Sequence, residues 1–170
     1  MIDCDALVVG GGPAGSTCAR TLVNAGLNVV VADRARFPRD KVCAGWLTPR
    51  VFSLLELDPA EYRATGLTLE EIDAFRTGVI GGATIETRYG GIVSYAIRRC
   101  EFDHFLLRRS GAQVLDDTPI ATFARHGGAW IVNDRIRTPI VVGAGGHFCP
   151  VARYLRGAAD TSQPVVAKEA

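Results

Sequence analysis

Three adjoining signals in residues 5–34 leave this chain little choice of fold. Asp5-Ala6-Leu7-Val8-Val9 is an apolar run of strand length. It feeds Gly10-Gly11-Gly12-Pro13-Ala14-Gly15, a G-x-G-x-x-G turn. A helical stretch follows, and Val29-Val30-Val31 then leads through Ala32 into Asp33-Arg34. A strand, a glycine turn, a helix and a second strand ending in an acid form the βαβ unit that suits a dinucleotide.

Each residue of the turn has a separate physical reason. Gly10 suits a tight strand-to-helix turn that a Cβ would obstruct. Gly12 lets the main chain approach a pyrophosphate, and Gly15 lets the helix sit tightly on the strands. Pro13 falls near the first helical position, where its missing N–H costs little. The amides and dipole at the helix start favour phosphate. Gly10, Gly12, Pro13, Ala14 and Gly15 are therefore the expected phosphate-binding segment. Ala14, Cys18, Ala19, Leu22 and Val23 read as a small apolar stripe facing a parallel sheet, and Asn24-Ala25-Gly26 as its stop. Leu27 to Ala32 is a strand covered on both faces. Asp33 follows Gly15 by 18 residues, close to the spacing of about 20 expected for a ribose-binding acid.

Bulk properties narrow the function classes. The chain has 170 residues, 48% hydrophobic and 22% charged, which suits one soluble α/β domain. A net charge of +1 gives no electrostatic case for nucleic acid. No run approaches the length of a spanning helix, and no secretory signal is visible. A cytoplasmic location is the expectation, with peripheral membrane contact left open. Five cysteines, an odd number with no C-x-x-C pair, argue against a disulfide framework or a metal site.

Further along, Arg34 to Lys41 reads as a loop. Thr48-Pro49 is a helix N-cap and first turn, and Asp58-Pro59 starts another short helix. Glu71 to Thr77, Ala83 to Arg88 and Ile92 to Ile97 are predicted strands in antiparallel hairpins. Glu101 to Ser110 is a predicted helix, and Ala112 to Leu115 a short strand. Ile120 to Arg125, Ala129 to Asn133 and Arg135 to Arg137 suggest a meander. Ile140 to Val142 runs into a second glycine turn, Gly143-Ala144-Gly145-Gly146, expected near the same ligand. The tail, 160–170, is polar with one Val165-Val166 pair.

Four segments resemble the geranylgeranyl reductase family of FAD-dependent oxidoreductases, within the flavoprotein hydroxylase superfamily. Asp5 to Arg34 resembles its FAD fingerprint. Phe37-Pro38-Arg39-Asp40-Lys41-Val42-Cys43-Ala44-Gly45 is similar to F-P-R-x-K-x-C-G-G. Arg98-Arg99-Cys100-Glu101-Phe102-Asp103 resembles its R-x-x-F-D helix start. Gly143 to Arg153 resembles its second flavin motif, with Gly145 in place of the usual Asp and Cys149 in place of Ser. The resemblance implies a Rossmann-like FAD-binding sheet with a β-meander crossover. Residues 67–98 would be inserted strands of a substrate-side sheet. FAD is the implied cofactor and NAD(P)H an implied electron donor. Family members are longer, so residues 1–170 are expected to be one incomplete FAD/NAD(P)-binding domain, its N-terminal portion.

The resemblance also assigns roles. Arg99 is expected near the phosphates or ribityl chain, and Lys41, Cys43 and Ala44 near the isoalloxazine. Cys43 is the candidate catalytic thiol, or else a small residue that permits close approach. Arg34 either stacks on adenine or is exposed. Trp46 lines an aromatic or lipid substrate pocket or packs in the core, and His147 is a base or polar surface. The second turn, Gly143, Ala144, Gly145 and Gly146, offers backbone to the flavin. The expected reaction reduces an isoprenoid double bond of a small-molecule or lipid substrate. A flavin-dependent monooxygenase or halogenase is the alternative enzyme, and a truncated, non-catalytic nucleotide-binding remnant the alternative of another class.

Overall fold

The computed structural model describes residues 1–157. In chain order its elements are β1 (Ile2–Asp3), β2 (Ala6–Val9), α1 (Pro13–Asn24), β3 (Val29–Ala32), β4 (Trp46–Leu47), α2 (Pro49–Leu54), α3 (Pro59–Ala64), β5 (Leu69–Ile72), β6 (Ala74–Gly78), β7 (Thr84–Arg88) and β8 (Ser94–Ile97). They continue with α4 (Arg99–Arg109), β9 (Gln113–Leu115), β10 (Phe123–His126), β11 (Ala129–Val132), β12 (Ile136–Thr138), β13 (Ile140–Gly143), a 3-10 turn at Gly146–Phe148 and α5 (Pro150–Arg156). They group into two compact units. One holds Met1–Arg39 and the described residues from Asp103 onward; the other holds Asp40–Phe102. The 160–170 tail lies outside the described residues.

The first unit is built on an all-parallel sheet in the order β13-β2-β3-β9. Strand side chains alternate between two faces, and both faces here are covered. Leu7, Val9, Val30 and Ala32 pack with Val132, Ile136, Cys149 and Val151, which come from the meander and α5. Val8, Val29 and Val31 pack with Ala19, Phe37 and Leu107, with Leu22 and Val23 of α1 partly buried against them. Double coverage explains why β2 and β3 read as unbroken apolar runs. A second sheet, β1-β12-β11-β10, is the expected meander extended by β1, which pairs parallel to β12.

Two sequence expectations change here. Ala14 points outward rather than joining the α1 stripe; Gly15, Ser16 and Ala19 are the buried residues. Ala14 sits in the first turn, just past Pro13, where the helix has not yet rolled its apolar face onto the sheet. The meander's first strand begins at Phe123 rather than Ile120. Asn133 explains the delay. Its side-chain oxygen accepts the Ala121 and Thr122 amides (2.9 and 3.2 Å), satisfying that backbone outside any ladder.

The second unit carries a three-stranded antiparallel sheet, β4-β8-β5, and a separate β6–β7 hairpin. The predicted strand from Glu71 to Thr77 is therefore two strands. They part at Asp73, whose carbonyl accepts the Tyr89 amide at 3.0 Å. β5 turns to β8 and β6 to β7, so the three predicted strands do not form one run of hairpins. Thr48 precedes α2 without a side-chain cap bond, whereas Asp58 caps α3 through the Ala60 amide (2.8 Å). Phe52, Tyr62, Tyr95 and Phe102 form the aromatic core, with ring centroids 4.9–6.3 Å apart.

Glu101, in the first turn of α4, accepts the Thr68 amide at 2.8 Å. That backbone hydrogen bond, with Arg98 beside it, holds the Glu101 carboxyl below its ordinary value of 4.5. A carboxylate depressed in the folded state stabilises the fold above its unfolded pKa and loses that contribution as pH falls through the folded one. Glu101→Gln should therefore lower stability at neutral pH and flatten the acid side of the stability–pH curve below about pH 4.5, where the two proteins converge. Denaturant midpoints measured from pH 3 to 7 check this.

Candidate dinucleotide site

The first unit gathers two glycine turns at the C-terminal ends of adjacent parallel strands. β2 runs through Gly10–Gly12 into α1, and α1 returns to β3 on one side. β13 lies on the other side, with Gly143 in register with Val9, and runs into Gly143–Gly146. A doubly wound sheet opens its ligand crevice where successive connections diverge in this way.

Missing side chains bring the turns together. Gly10 has φ +115°, and a Cβ there would lie 2.5 Å from the Ala144 carbonyl oxygen. A Cβ on Gly15 would run into the Gly10 carbonyl oxygen. The second turn is tied in by the Ala144 amide, which donates to the Val9 carbonyl (2.8 Å). Gly12 is the N-cap of α1, with no side-chain cap, and Pro13 opens the helix. The first bond of the helical ladder is from Ser16 N–H to the Gly12 carbonyl (2.9 Å). The amides of Ala14 and Gly15 therefore precede the ladder, at the positive end of the helix.

Asp33 sits beside this turn as the spacing requires, and its carboxylate already braces the backbone. Oδ2 accepts the Gly11 amide (2.7 Å) and Oδ1 the Ala35 amide (2.9 Å). Each carboxylate oxygen has a second acceptor position, so hydroxyl donors can still be accommodated. Arg34 is exposed.

The second turn has its own packing logic. A Cβ on Gly143 would lie 2.9 Å from Val151 Cβ and 3.1 Å from Cys149 Sγ. A Cβ on Gly145 would meet Cys149 atoms at 3.2–3.4 Å. The buried Cys149 thus crowds the place of the side chain that Gly145 lacks. The turn presents backbone, with Gly145 and Gly146 exposed. His147 is exposed and lies edge-on to Phe148 (4.7 Å), which fits polar surface.

Lys41, Cys43, Ala44 and Arg99 belong to the second unit. Lys41, Cys43 and Ala44 lie on an exposed loop, and Arg99 is the half-buried first residue of α4. Cys43 Sγ accepts the Gly45 amide at 3.4 Å. Gly45 has φ +68°, and a Cβ there would strike the Ile97 carbonyl oxygen, so the loop is pinned to β8. Trp46 is 59% exposed and meets Phe75 edge-on (5.5 Å), so it is not a core residue. Phe75 in turn meets Tyr89 (6.0 Å).

Arg39 is the residue that sequence reasoning missed. It stood inside the quoted F-P-R segment, but its partner Asp103 is remote in sequence. Asp103 is fully buried and lies 3.2 Å from Arg39 Nη2. That same nitrogen lies 3.5 Å from where a Cβ on Gly12 would be. The donor set fits a dinucleotide: open backbone at Gly12, amides at a helix start, a cation beside them and an acid at the strand end.

Comparison with known proteins agrees. Residues 3–78 match the family model described as FAD binding domain. The chain is 37% identical over 111 residues to geranylgeranyl diphosphate reductase of Rhodobacter capsulatus, covering 63% of this chain and 25% of that protein. It is 30% identical over 169 residues to digeranylgeranylglycerophospholipid reductase of Methanothrix thermoacetophila, covering 89% and 41%. The structure of Pseudomonas aeruginosa PqsL with 2-aminobenzoylacetate superposes with TM-score 0.75 at 22% identity, covering 96% of this chain and 48% of PqsL. The chain spans less than half the length of each of these proteins.

Because a Cβ at position 15 would enter the Gly10 carbonyl, Gly15→Ala must push α1 off β2. A loss of about 1–3 kcal/mol is expected, with FAD affinity falling alongside. Chemical denaturation and a flavin titration on the same variant measure the two effects.

Proposed function

We propose that this chain, which carries an FAD-binding domain related to geranylgeranyl reductases, serves a flavin-dependent oxidoreductase that reduces double bonds in a prenyl chain. The observation that carries the cofactor half is the pairing of two glycine turns through Gly10 and Ala144, beside Asp33. Gly10, Gly12, Pro13, Ala14 and Gly15 would hold the pyrophosphate by backbone. Asp33 would accept the adenosine ribose hydroxyls, and Gly143 to Gly146 would face the ribityl side. Bound FAD would supply a two-electron reductant, with NAD(P)H a candidate source of those electrons. Arg34 is proposed for the adenine edge. Lys41, Cys43, Ala44 and Arg99 are assigned to the flavin side by resemblance alone, and residues 67–98 to the substrate sheet.

The substrate half rests on the second unit. Trp46, Phe75 and Tyr89 form an aromatic row with Trp46 and Tyr89 exposed, as an apolar chain requires. The reductases resembling this chain are named for geranylgeranyl compounds, which suits that surface. Among the described residues no helix is long and apolar enough to cross a membrane. A prenyl lipid would then be met at a membrane surface or as a diphosphate, and we place the reaction in the cytosol.

The purified chain is expected to take up FAD and show a flavin visible spectrum. A folded protein that stays colourless in excess FAD would defeat the cofactor reading. Asp33→Ala removes the acceptor of two backbone amides as well as the ribose contact. It should weaken FAD binding about 10-fold or more. For the substrate half, geranylgeranyl diphosphate should bind the FAD-loaded chain, and Trp46→Ala should weaken that binding while FAD affinity stays constant. Equal substrate affinity in both proteins would remove Trp46 from the site.

A further inference from the structure

Arg39 is fixed from two sides within the first unit. Its guanidinium carbon stands 4.7 Å over the Phe37 ring, and Asp103 Oδ2 holds Nη2 at 3.2 Å. The side chain is only 18% exposed and Asp103 not at all. Nη1 is buried and has no hydrogen-bond partner. An inward ion pair of this kind is an expensive way to shape a loop, because desolvation consumes most of its attraction. An orphaned N–H on a cation adds to that cost. Shaping a loop does not by itself account for the cost of the ion pair.

Geometry supplies a reason. Nη2 lies 3.5 Å from the point where a Gly12 side chain would begin. A ligand group seated on the open face of Gly12 therefore touches the guanidinium. The same face adjoins the start of α1, where amides and dipole favour an anion. Guanidinium has five N–H donors in a fixed fork, so one edge can serve Asp103 while another serves a phosphate. We propose that Arg39 is the side-chain ligand of the dinucleotide pyrophosphate. Asp103 is the positioning residue that aims it, and Phe37 is the platform beneath it. This rests on the FAD reading above and adds to it a cation from outside the glycine turn.

The test compares ligands with and without the pyrophosphate, using the whole 170-residue chain. FAD, ADP and adenosine are titrated calorimetrically into the native protein, Arg39→Gln, Arg39→Lys and the double variant Arg39→Gln/Asp103→Asn. The double variant removes both charges and leaves no buried carboxylate unpaired, so it keeps the test open if Arg39→Gln does not fold. FAD and ADP should weaken about 10- to 100-fold in Arg39→Gln and in the double variant. Adenosine should stay within about twofold, and Arg39→Lys should recover part of the loss. Native-like FAD affinity in the double variant would show that Arg39 only balances Asp103, and would overturn the proposal while leaving the FAD reading intact. An equal fall for ADP and adenosine would overturn it as well. A native chain that binds no FAD would remove the underlying reading and the proposal together.

Discussion

Main chain touching main chain at Gly10 is the constraint from which the rest of the first unit follows. On one side Gly15 of the helix presses on the Gly10 carbonyl; on another the Ala144 carbonyl fills the space a Gly10 side chain would need. One residue thereby joins the first turn, the helix and the second turn. The neighbouring glycines have separate neighbours. A Cβ on Gly11 would meet Phe37 and Leu107 at 3.1–3.2 Å, and one on Gly12 would meet Arg39. Gly10 and Gly11 are explained by two different close approaches, whereas a Cβ on Gly12 would make only ordinary contact and its face stays open.

Asp33 links this packing to the proposed binding. An acid that merely waited for a ribose would be free to choose rotamers until the ligand arrived. Here its two oxygens are already engaged by Gly11 and Ala35, so the turn and the acid hold each other in place. Ordering cost is met in folding rather than in binding, which is what preorganisation means energetically. The same residue thus serves as brace and as ligand candidate, and removing it acts on both.

Legibility followed the range of the interactions. The βαβ unit was readable because strand, turn, helix and acid are contiguous, and each leaves a local mark. The second turn was readable for the same reason, and its adjacency to the first followed from parallel pairing. Other features depend on partners elsewhere in the chain. Ile2–Asp3 becomes a strand only because β12 lies beside it. The break at Asp73 appears only because β5 and β6 have different partners. Ala14 looked apolar and inward by periodicity, but the first turn of a helix need not share the face of the turns that follow. Arg39 looked like one cation among several in a polar loop. Its meaning lies in Asp103, which no local pattern connects to it.

The β6–β7 hairpin carries the same logic to the second unit. Its register places Arg76 opposite Glu86 and Ala74 opposite Arg88, with Phe75 opposite Thr87 and Thr77 opposite Ile85. Alternation therefore sorts Arg76, Glu86 and Arg88 onto one face and Phe75 with Ile85 onto the other. The charged face is internally paired at 2.8 Å, through Arg76–Glu86 and Arg88–Glu86. Exposed pairs of that kind add little stability, and a two-stranded ribbon is marginal without an apolar face to bury. The opposite face has such residues, and Ile85 there is 71% exposed. A ribbon with self-satisfied charges on one side and aromatic and aliphatic groups on the other is shaped for apolar contact. In the proposed reading, the polar work of holding a cofactor falls to backbone, Asp33 and Arg39 in one unit. In the same reading, the apolar surface offered to a prenyl chain belongs to the other.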